Sequence, residues 1–401
     1  MKDPGTILVG GGLASQRAAE TLRRRGYEGP VRIVCAETEP PYDRPPLSKQ
    51  VLAGTASEDS LAFRAAEWYA ENGVELLLGE RATALDPERR ELLLASGERL
   101  AYGQLLIATG GEARRLPFLG HENVHALRGI GDARALRAEL RPRARLAIVG
   151  AGFIGQEVAA TARGLGVEVT IIEALPTPLA PILGAELGRW FAELHAEEGT
   201  RLITGAMLEG ARGGERVGEL VLADGRRVEC DVVLVGVGTV PAAGWLRGSG
   251  LDERGVRVDA AGRTALPGVF AAGDASVPID TRWGGHARTE HWDAAAWQGA
   301  AAARAMLGEE PGRPPLPSFW SDQYGVRIQC VGHPQHADAV AIDGDPAGRD
   351  FEAVFSREGV PVAGLTVGRP RAIPALRKRI ENGARPGAAA EDQSQMKEEL
   401  A

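Results

Sequence analysis

Short apolar runs that end in glycine and lead into stretches of helical period recur along this chain. Residues 6–12 read TILVGGG, and the LASQRAAETLRRRG that follows sets Ala14, Ala18 and Leu22 on one face, which predicts strand, tight turn and helix. A second strand, VRIVCAE, closes at Glu37. The pattern returns at 146–173 as LAIVGAGFIGQEVAATARGLGVEVTIIE, with Gly150, Gly152 and Gly155 at G-x-G-x-x-G spacing and Glu173 at the next strand end. In each unit the first glycine (Gly10, Gly150) permits the turn and the second (Gly12, Gly152) lets backbone amides approach a pyrophosphate. The third small residue (Ser15, Gly155) lets helix pack on strand, and the helix N-terminus carries the anion. The terminal carboxylates accept from a ribose; Glu173 repels a 2′-phosphate and so predicts NADH over NADPH.

Two further strands, LLIATGG at 105–111 (Ala108, Thr109, Gly110) and GVFAAGDAS at 268–276 (Gly273, Asp274), flank the second fingerprint. They predict one dinucleotide fold interrupted by another. The expected class is α/β, with two Rossmann-like domains, the second inserted in the first. The expected boundaries are 1–112 and 241–310 for the first domain, 113–240 for the insert, 311–381 for the C-terminal domain and 382–401 for a flexible tail.

The length of 401 residues suits two to three domains. The formal charge of −8 argues against a nucleic-acid partner. No uncharged stretch reaches the ~18 residues of a membrane span, and no secretory leader is read at the N-terminus, so a cytoplasmic protein without a membrane partner is expected. Cys35, Cys230 and Cys330 lie far apart in apolar, strand-like contexts, which excludes a local redox dithiol and predicts inert buried thiols. His121, His125, His195, His286, His333 and His336 show no catalytic or metal-ligand spacing; they are read as structural or surface residues, and no metal is expected.

The strings LVGGGLA, PPYDRPPLSK, LLIATGG, IVGAGFIGQEVAA, VVLVGVGTVPA, GVFAAGDAS, EHWDAAAWQG and FWSDQYG, in this order, resemble the FAD-dependent NADH:ferredoxin reductases up to about residue 380. The resemblance implies a glutathione-reductase-like arrangement of the two Rossmann-like domains with a C-terminal α+β interface domain, FAD in the first domain, NADH in the insert and an iron-sulfur ferredoxin as partner. It implies that Gly10, Gly12, Leu13 and Ala14 line the FAD pyrophosphate and that Ala82 contacts the adenine. Arg44 and Arg128 would face the phosphates, with Asp274 at the ribityl chain or phosphate. Lys49 would lie beside the flavin ring, Glu290, His291 and Trp292 at its pyrimidine edge, and Trp320 against it. Ile154, Glu157, Glu173 and Gly238 would surround NADH. Two positions depart from the pattern: Ala36 stands where many relatives carry the ribose-binding acid, leaving Glu37 one residue late, and Glu112 replaces an arginine.

The implied chemistry takes an electron pair in as one hydride and lets the electrons out singly, a conversion supplied by the flavin. The catalytic candidates are Lys49, Glu157 as its carboxylate partner at the first turn of the second Rossmann helix, and Trp320. For Glu157 the alternative is simple helix-dipole stabilisation. The helix opening near Glu290 to Trp292 would oppose charge at the reduced ring. Arg369, Arg371, Arg377, Lys378 and Arg379 form a basic cluster suited to an acidic ferredoxin. Alternative functions are a redox-sensing flavoprotein resembling apoptosis-inducing factor, a rubredoxin reductase or an NADH oxidase.

Overall fold

The computed structural model describes residues 4–280 and 282–383; the expected tail, from 384 onward, lies outside them. Buried Val, Ile and Leu in four- and five-residue runs build the central strand of each nucleotide fold. Thr6–Val9 and Arg145–Val149 are both central in five-stranded parallel sheets, where neither face meets water. The first sheet runs in the order Val269–Ala271, Gln104–Ile107, Thr6–Val9, Val31–Cys35, Val74–Leu78. Its outer strand on one side returns from beyond residue 240, as the glycine-aspartate turn at 273 predicts. The second sheet uses only residues from 124 to 235. The chain passes between the two through a short antiparallel pair, Gly111–Ala113 with Thr239–Pro241.

The helix Leu13–Arg24 buries Ala14, Ala18 and Leu22, the face expected from spacing. Its neighbour Trp292–Met306 approaches so closely that a Cβ on Gly299 would fall 2.2 Å from the Ala14 carbonyl oxygen, so alanine is excluded there. The C-terminal segment is a five-stranded antiparallel sheet between Ser318 and Val367, against which Leu376 and Ile380 of the helix Ile373–Gly383 are buried. Phe351, Phe355 and Leu365 of that sheet share a core with Leu187, Phe191 and Leu194 of the helix Ala180–Glu197. The insert and the C-terminal sheet are therefore packed as one body. Among the described residues no helix is long and apolar enough to cross a membrane.

Candidate functional site

At the first fingerprint Gly10 has φ +123°, and a Cβ there would sit 2.2 Å from the Ala108 carbonyl oxygen; at the second, Gly150 has φ +101° with Gly236 oxygen at 2.5 Å. Both turns need glycine for backbone conformation and for contact. By contrast a Cβ on Gly12 would meet nothing within 4 Å and one on Gly152 only an oxygen at 3.9 Å, so the outer side of each loop is open. Each of these residues is the extended N-cap of its helix, with no side-chain cap and no acid in the first turn. The free N–H groups and helix dipole thus form two anion cradles.

Around the first cradle, Tyr42 Oη donates to Glu37 Oε2 (2.6 Å), while Arg44 donates to Glu37 Oε1 (2.6 Å), Tyr42 Oη (2.9 Å) and the Arg128 carbonyl (2.9 Å). Arg128 reaches Asp274 Oδ2 at 2.8 Å. Burial pushes the Glu37 carboxyl up, but Arg44 and Tyr42 more than offset this, leaving it below its usual value. Glu37 therefore presents an ionised acceptor beside the cradle although it comes one residue late. Ser15 Oγ and His291 Nδ1 are buried without a protein partner, and the Arg44, Arg128 and Asp274 set fits the phosphate and ribityl portion of FAD. Ala82 is buried at the start of the strand Ala82–Asp86.

At the second cradle Glu173 closes over the turn, accepting from Ala151 N–H (2.7 Å) and Leu175 N–H (2.8 Å). Ile154, 41% exposed, and Gly238, with φ +92° and open space beside it, border the same mouth. An acceptor beside glycine amides suits the diphosphate and adenosine ribose of NADH.

Between the cradles Lys49 Nζ lies 2.8 Å from Glu157 Oε2, both nearly buried. The η-turn Pro45–Ser48 delivers the lysine, and its prolines fix the approach. Glu157 does not stand in the first helical turn as expected: the helix begins at Phe153, and its first turn holds no acid. Its carboxylate points sideways, accepting from Lys49, from Ser48 Oγ at 2.5 Å and from Ser321 Oγ at 2.8 Å. The helix-dipole alternative thereby loses its basis.

Ser321 opens a polar chain through the interior. Gln323 Nε2 donates to Ser321 Oγ (3.1 Å), and Gln323 Oε1 and Gln156 Oε1 both face His195 Nε2 (3.2 and 3.1 Å). Two carbonyl acceptors require that nitrogen to carry the proton. Nδ1 then accepts from Tyr324 Oη at 2.8 Å, and Tyr324 takes its bond from Thr200 Oγ1 at 3.0 Å. The donors from Thr200 through Tyr324, His195, Gln323 and Ser321 run toward Glu157, while Gln156 Nε2 donates aside to the Ala151 carbonyl at 2.8 Å. Burial pushes the His195 imidazole down to about 4, with the Gln323 contact acting the other way, so the ring is neutral, as this pattern requires. Spacing revealed none of His195, Ser321, Gln323 or Ser48 as site residues.

The helix expected at Glu290–Trp292 starts at Trp292 with His291 as N-cap, and Glu290 is exposed beside Thr239 and Arg288. Asp293 occupies its first turn and accepts from Ser318 N–H and Oγ (2.7 and 2.6 Å), so these amides share their end with an acid. Trp292 donates Nε1–H to Asp43 (2.8 Å) and stands edge-on to Trp320 at 6.1 Å. His291 packs on Phe319 at 5.1 Å. Thr109 Oγ1 ties the LLIATGG turn to the Ala242 carbonyl at 2.6 Å.

The three thiols are buried. Burial pushes Cys35 up to about 12 and Cys230 to about 11, and drives Cys330 higher as well. Of the basic cluster, Arg369 is paired with Asp350 and Arg377 donates to the Leu316 carbonyl (3.0 Å), whereas Lys378 and Arg379 are exposed.

Residues 5–299 match the pyridine nucleotide-disulphide oxidoreductase family and residues 318–399 the reductase C-terminal family, so the likeness runs past residue 380. The chain is 38% identical over 384 residues to the anthranilate 1,2-dioxygenase system ferredoxin–NAD(+) reductase component of Burkholderia cepacia, covering 95% of each. It is 41% identical over 342 residues to the biphenyl dioxygenase counterpart of Paraburkholderia xenovorans, covering 84% of this chain and 83% of that one. The reductase in the covalent putidaredoxin reductase–putidaredoxin complex superposes with a TM-score of 0.91 at 31% identity, covering 95% and 94%.

Proposed function

Because this chain belongs to the pyridine nucleotide-disulphide oxidoreductase family, we propose that it is an FAD-dependent NADH:ferredoxin reductase feeding an iron-sulfur ferredoxin of a dioxygenase or cytochrome P450 system. Relatives named as such reductases match over nearly the full length. The observation that carries the reading is the buried Lys49–Glu157 pair at 2.8 Å between the two cradles. It occupies the region where a disulfide reductase needs a dithiol, and the thiol of the first nucleotide fold is disqualified: Cys35 lies beneath the first glycine turn, 2.8 Å from where a Gly11 Cβ would be, with its thiol held protonated.

In this reading residues 1–112 and 241–310 bind FAD, 113–240 bind NADH and 311–381 form the interface domain, an assignment supported by the separate sheets. Bound FAD supplies the conversion of paired into single electrons. The chain binds and orients. The amides after Gly10 and Gly12, with Leu13 and Ala14, hold the FAD pyrophosphate; Arg44 and Arg128 neutralise it; Glu37 takes the ribose. Ala108, Thr109, Gly110, Gly273 and Asp274 shape the floor, while His291, Trp292 and Trp320 enclose the ring. Glu173, Gly152 and Gly155 seat NADH, with Ile154 and Gly238 at the mouth. Lys49, fixed by Glu157 and by the Pro45 carbonyl at 3.0 Å, would stand beside the flavin ring of bound FAD. A cytoplasmic location belongs to the same reading and is supported by three unpaired cysteines.

The test supplies the FAD-loaded protein with NADH and a [2Fe–2S] ferredoxin from a dioxygenase system. The expected result is many reduced ferredoxins per flavin. Bleaching of the flavin once by NADH, without ferredoxin turnover, would replace the enzyme with a redox sensor.

A further inference from the structure

Three side chains to which spacing gives no chemistry meet behind the segment that carries His291 and Trp292. Asp280 opens a tight loop: its Oδ1 accepts from Arg282 and Trp283 N–H (2.8 and 2.9 Å), and backbone bonds from Asp280 N–H to Gly285 and from Gly284 N–H to Asp280 close it. His333 and His336 flank and end the η-turn Pro334–His336 that leaves the strand Val326–Gly332 of the C-terminal sheet. One ligand atom from each of Asp280, His333 and His336 lies within 4.8 Å of the other two. The aspartate is 53 residues from the nearer histidine, so only the fold unites them.

Among the described residues neither imidazole has a hydrogen-bond partner, whereas His195 has three. Both rings are half-buried. Trp283 stacks on His336 at 4.6 Å and 22° and meets His333 edge-on at 6.2 Å. Asp280 and His333 also line a cavity of about 410 Å³, which leaves space for water or an exogenous ligand.

We propose that Asp280, His333 and His336 bind a transition-metal dication of the zinc class, with a fourth position open to this cavity. The chemistry of the ligands selects the ion. Hard cations such as Mg²⁺ and Ca²⁺ need several oxygen donors, and here there is one carboxylate. Imidazole with one carboxylate suits Zn²⁺, Co²⁺ or Ni²⁺. Ligand atoms around tetrahedral zinc stand about 3.4 Å apart, so binding draws these groups together by about an ångström through side-chain rotation. The bound ion would join the loop leading to His291 and Trp292 to the strand that pairs with the one carrying Trp320. It would tie the C-terminal sheet to the flavin-facing helix independently of the Glu157 chain.

The experiment uses the FAD-loaded protein without an affinity tag, stripped with chelator and titrated calorimetrically with ZnCl₂, with metal counted by mass spectrometry. One Zn²⁺ per chain is expected, with at least tenfold weaker binding in both His333→Ala and Asp280→Asn. Flavin content and circular dichroism identify any variant that fails to fold; for such a variant His336→Gln is substituted. NiCl₂ should quench tryptophan fluorescence, and Trp283→Phe should remove most of that quenching. Less than a tenth of an equivalent of zinc, unchanged affinity in the folded variants, or equal binding of Mg²⁺ would each overturn the proposal. None of these outcomes depends on ferredoxin reduction.

Discussion

His195 is the point at which acid should attack this molecule. It is 1% exposed in the last turn of the helix Ala180–Glu197, where the helix dipole favours a cation by at most about 2 kcal/mol. Burial outweighs that, taking the ring from its ordinary 6.5 to about 4. Since the folded value is depressed, its stabilising contribution is complete above the unfolded value and is lost as pH falls from 6.5 toward 4, because the unfolded chain takes up the proton first. The whole span is worth about 3 kcal/mol, and about 2 kcal/mol of it is gone at pH 5. His195→Phe keeps a ring against Tyr324 but removes the titration and leaves Gln156, Gln323 and Tyr324 without their partner. At pH 8 the variant should be less stable by several kcal/mol, at about 1–3 kcal/mol for each buried group left unpaired. Urea unfolding of the FAD-loaded proteins at pH 8, 6.5 and 5, followed by circular dichroism and flavin release, should show the gap narrowing by about 2 kcal/mol toward pH 5. Other histidines lowered by burial are common to both proteins and cancel. A gap that stays constant or widens, or an imidazole NMR titration of His195 centred near 6.5, would refute the neutral Nε2–H assignment.

Glu173→Ala should cut the preference for NADH over NADPH by about 10- to 100-fold in kcat/KM, the equivalent of one charge-assisted hydrogen bond plus phosphate repulsion. Glu173→Gln, which keeps one acceptor for the glycine loop, should show most of the same loss, and an unchanged ratio in both would move the ribose site elsewhere. Lys378→Glu with Arg379→Glu should slow ferredoxin reduction by about tenfold at low ionic strength and much less at high salt, leaving ferricyanide reduction intact. These two residues are chosen because Arg377 is tied to the Leu316 carbonyl and Arg369 to Asp350, so reversing either would also break structure. Equal loss with both acceptors would mark the damage as structural.

How much of this could be read from residues alone depends on how local each signal is. The glycine turns, the strand-end carboxylates and the interruption of one nucleotide fold by another are written in contiguous strings, because strand, turn and helix each impose their own period. The Lys49–Glu157 pair was also within reach, since each residue belongs to a recognisable string. The chain behind it was not. Ser321 and Gln323 lie two apart on the strand Ser318–Gln323 and both face inward, so the period-2 rule assigns the polar face to solvent when it is the buried one. His195 resembles an ordinary polar residue near a helix end until the fold sets two carboxamides and a phenol around it.

The Lys49–Glu157 pair and its support come from segments that are far apart in sequence and belong to three different sheets or their helices. Ser48 and Lys49 arrive with the first nucleotide fold, Glu157, Gln156 and His195 with the insert, and Ser321, Gln323 and Tyr324 with the C-terminal sheet. A shift of the insert against the C-terminal sheet would strand several buried polar groups at once, each at about 1–3 kcal/mol. The apolar core shared by the helix Ala180–Glu197 and that sheet opposes the same movement. Lys49 and Ser48 meet Glu157 by side-chain bonds, and the Ser48 carbonyl accepts from Thr161 Oγ1 at 2.8 Å. Leu47, Val51 and Leu52 of the first nucleotide fold also share an apolar core with Val158, Ala159 and Ala162 of the insert, so this seam is expected to stay closed when NADH binds, with Lys49 held against Glu157.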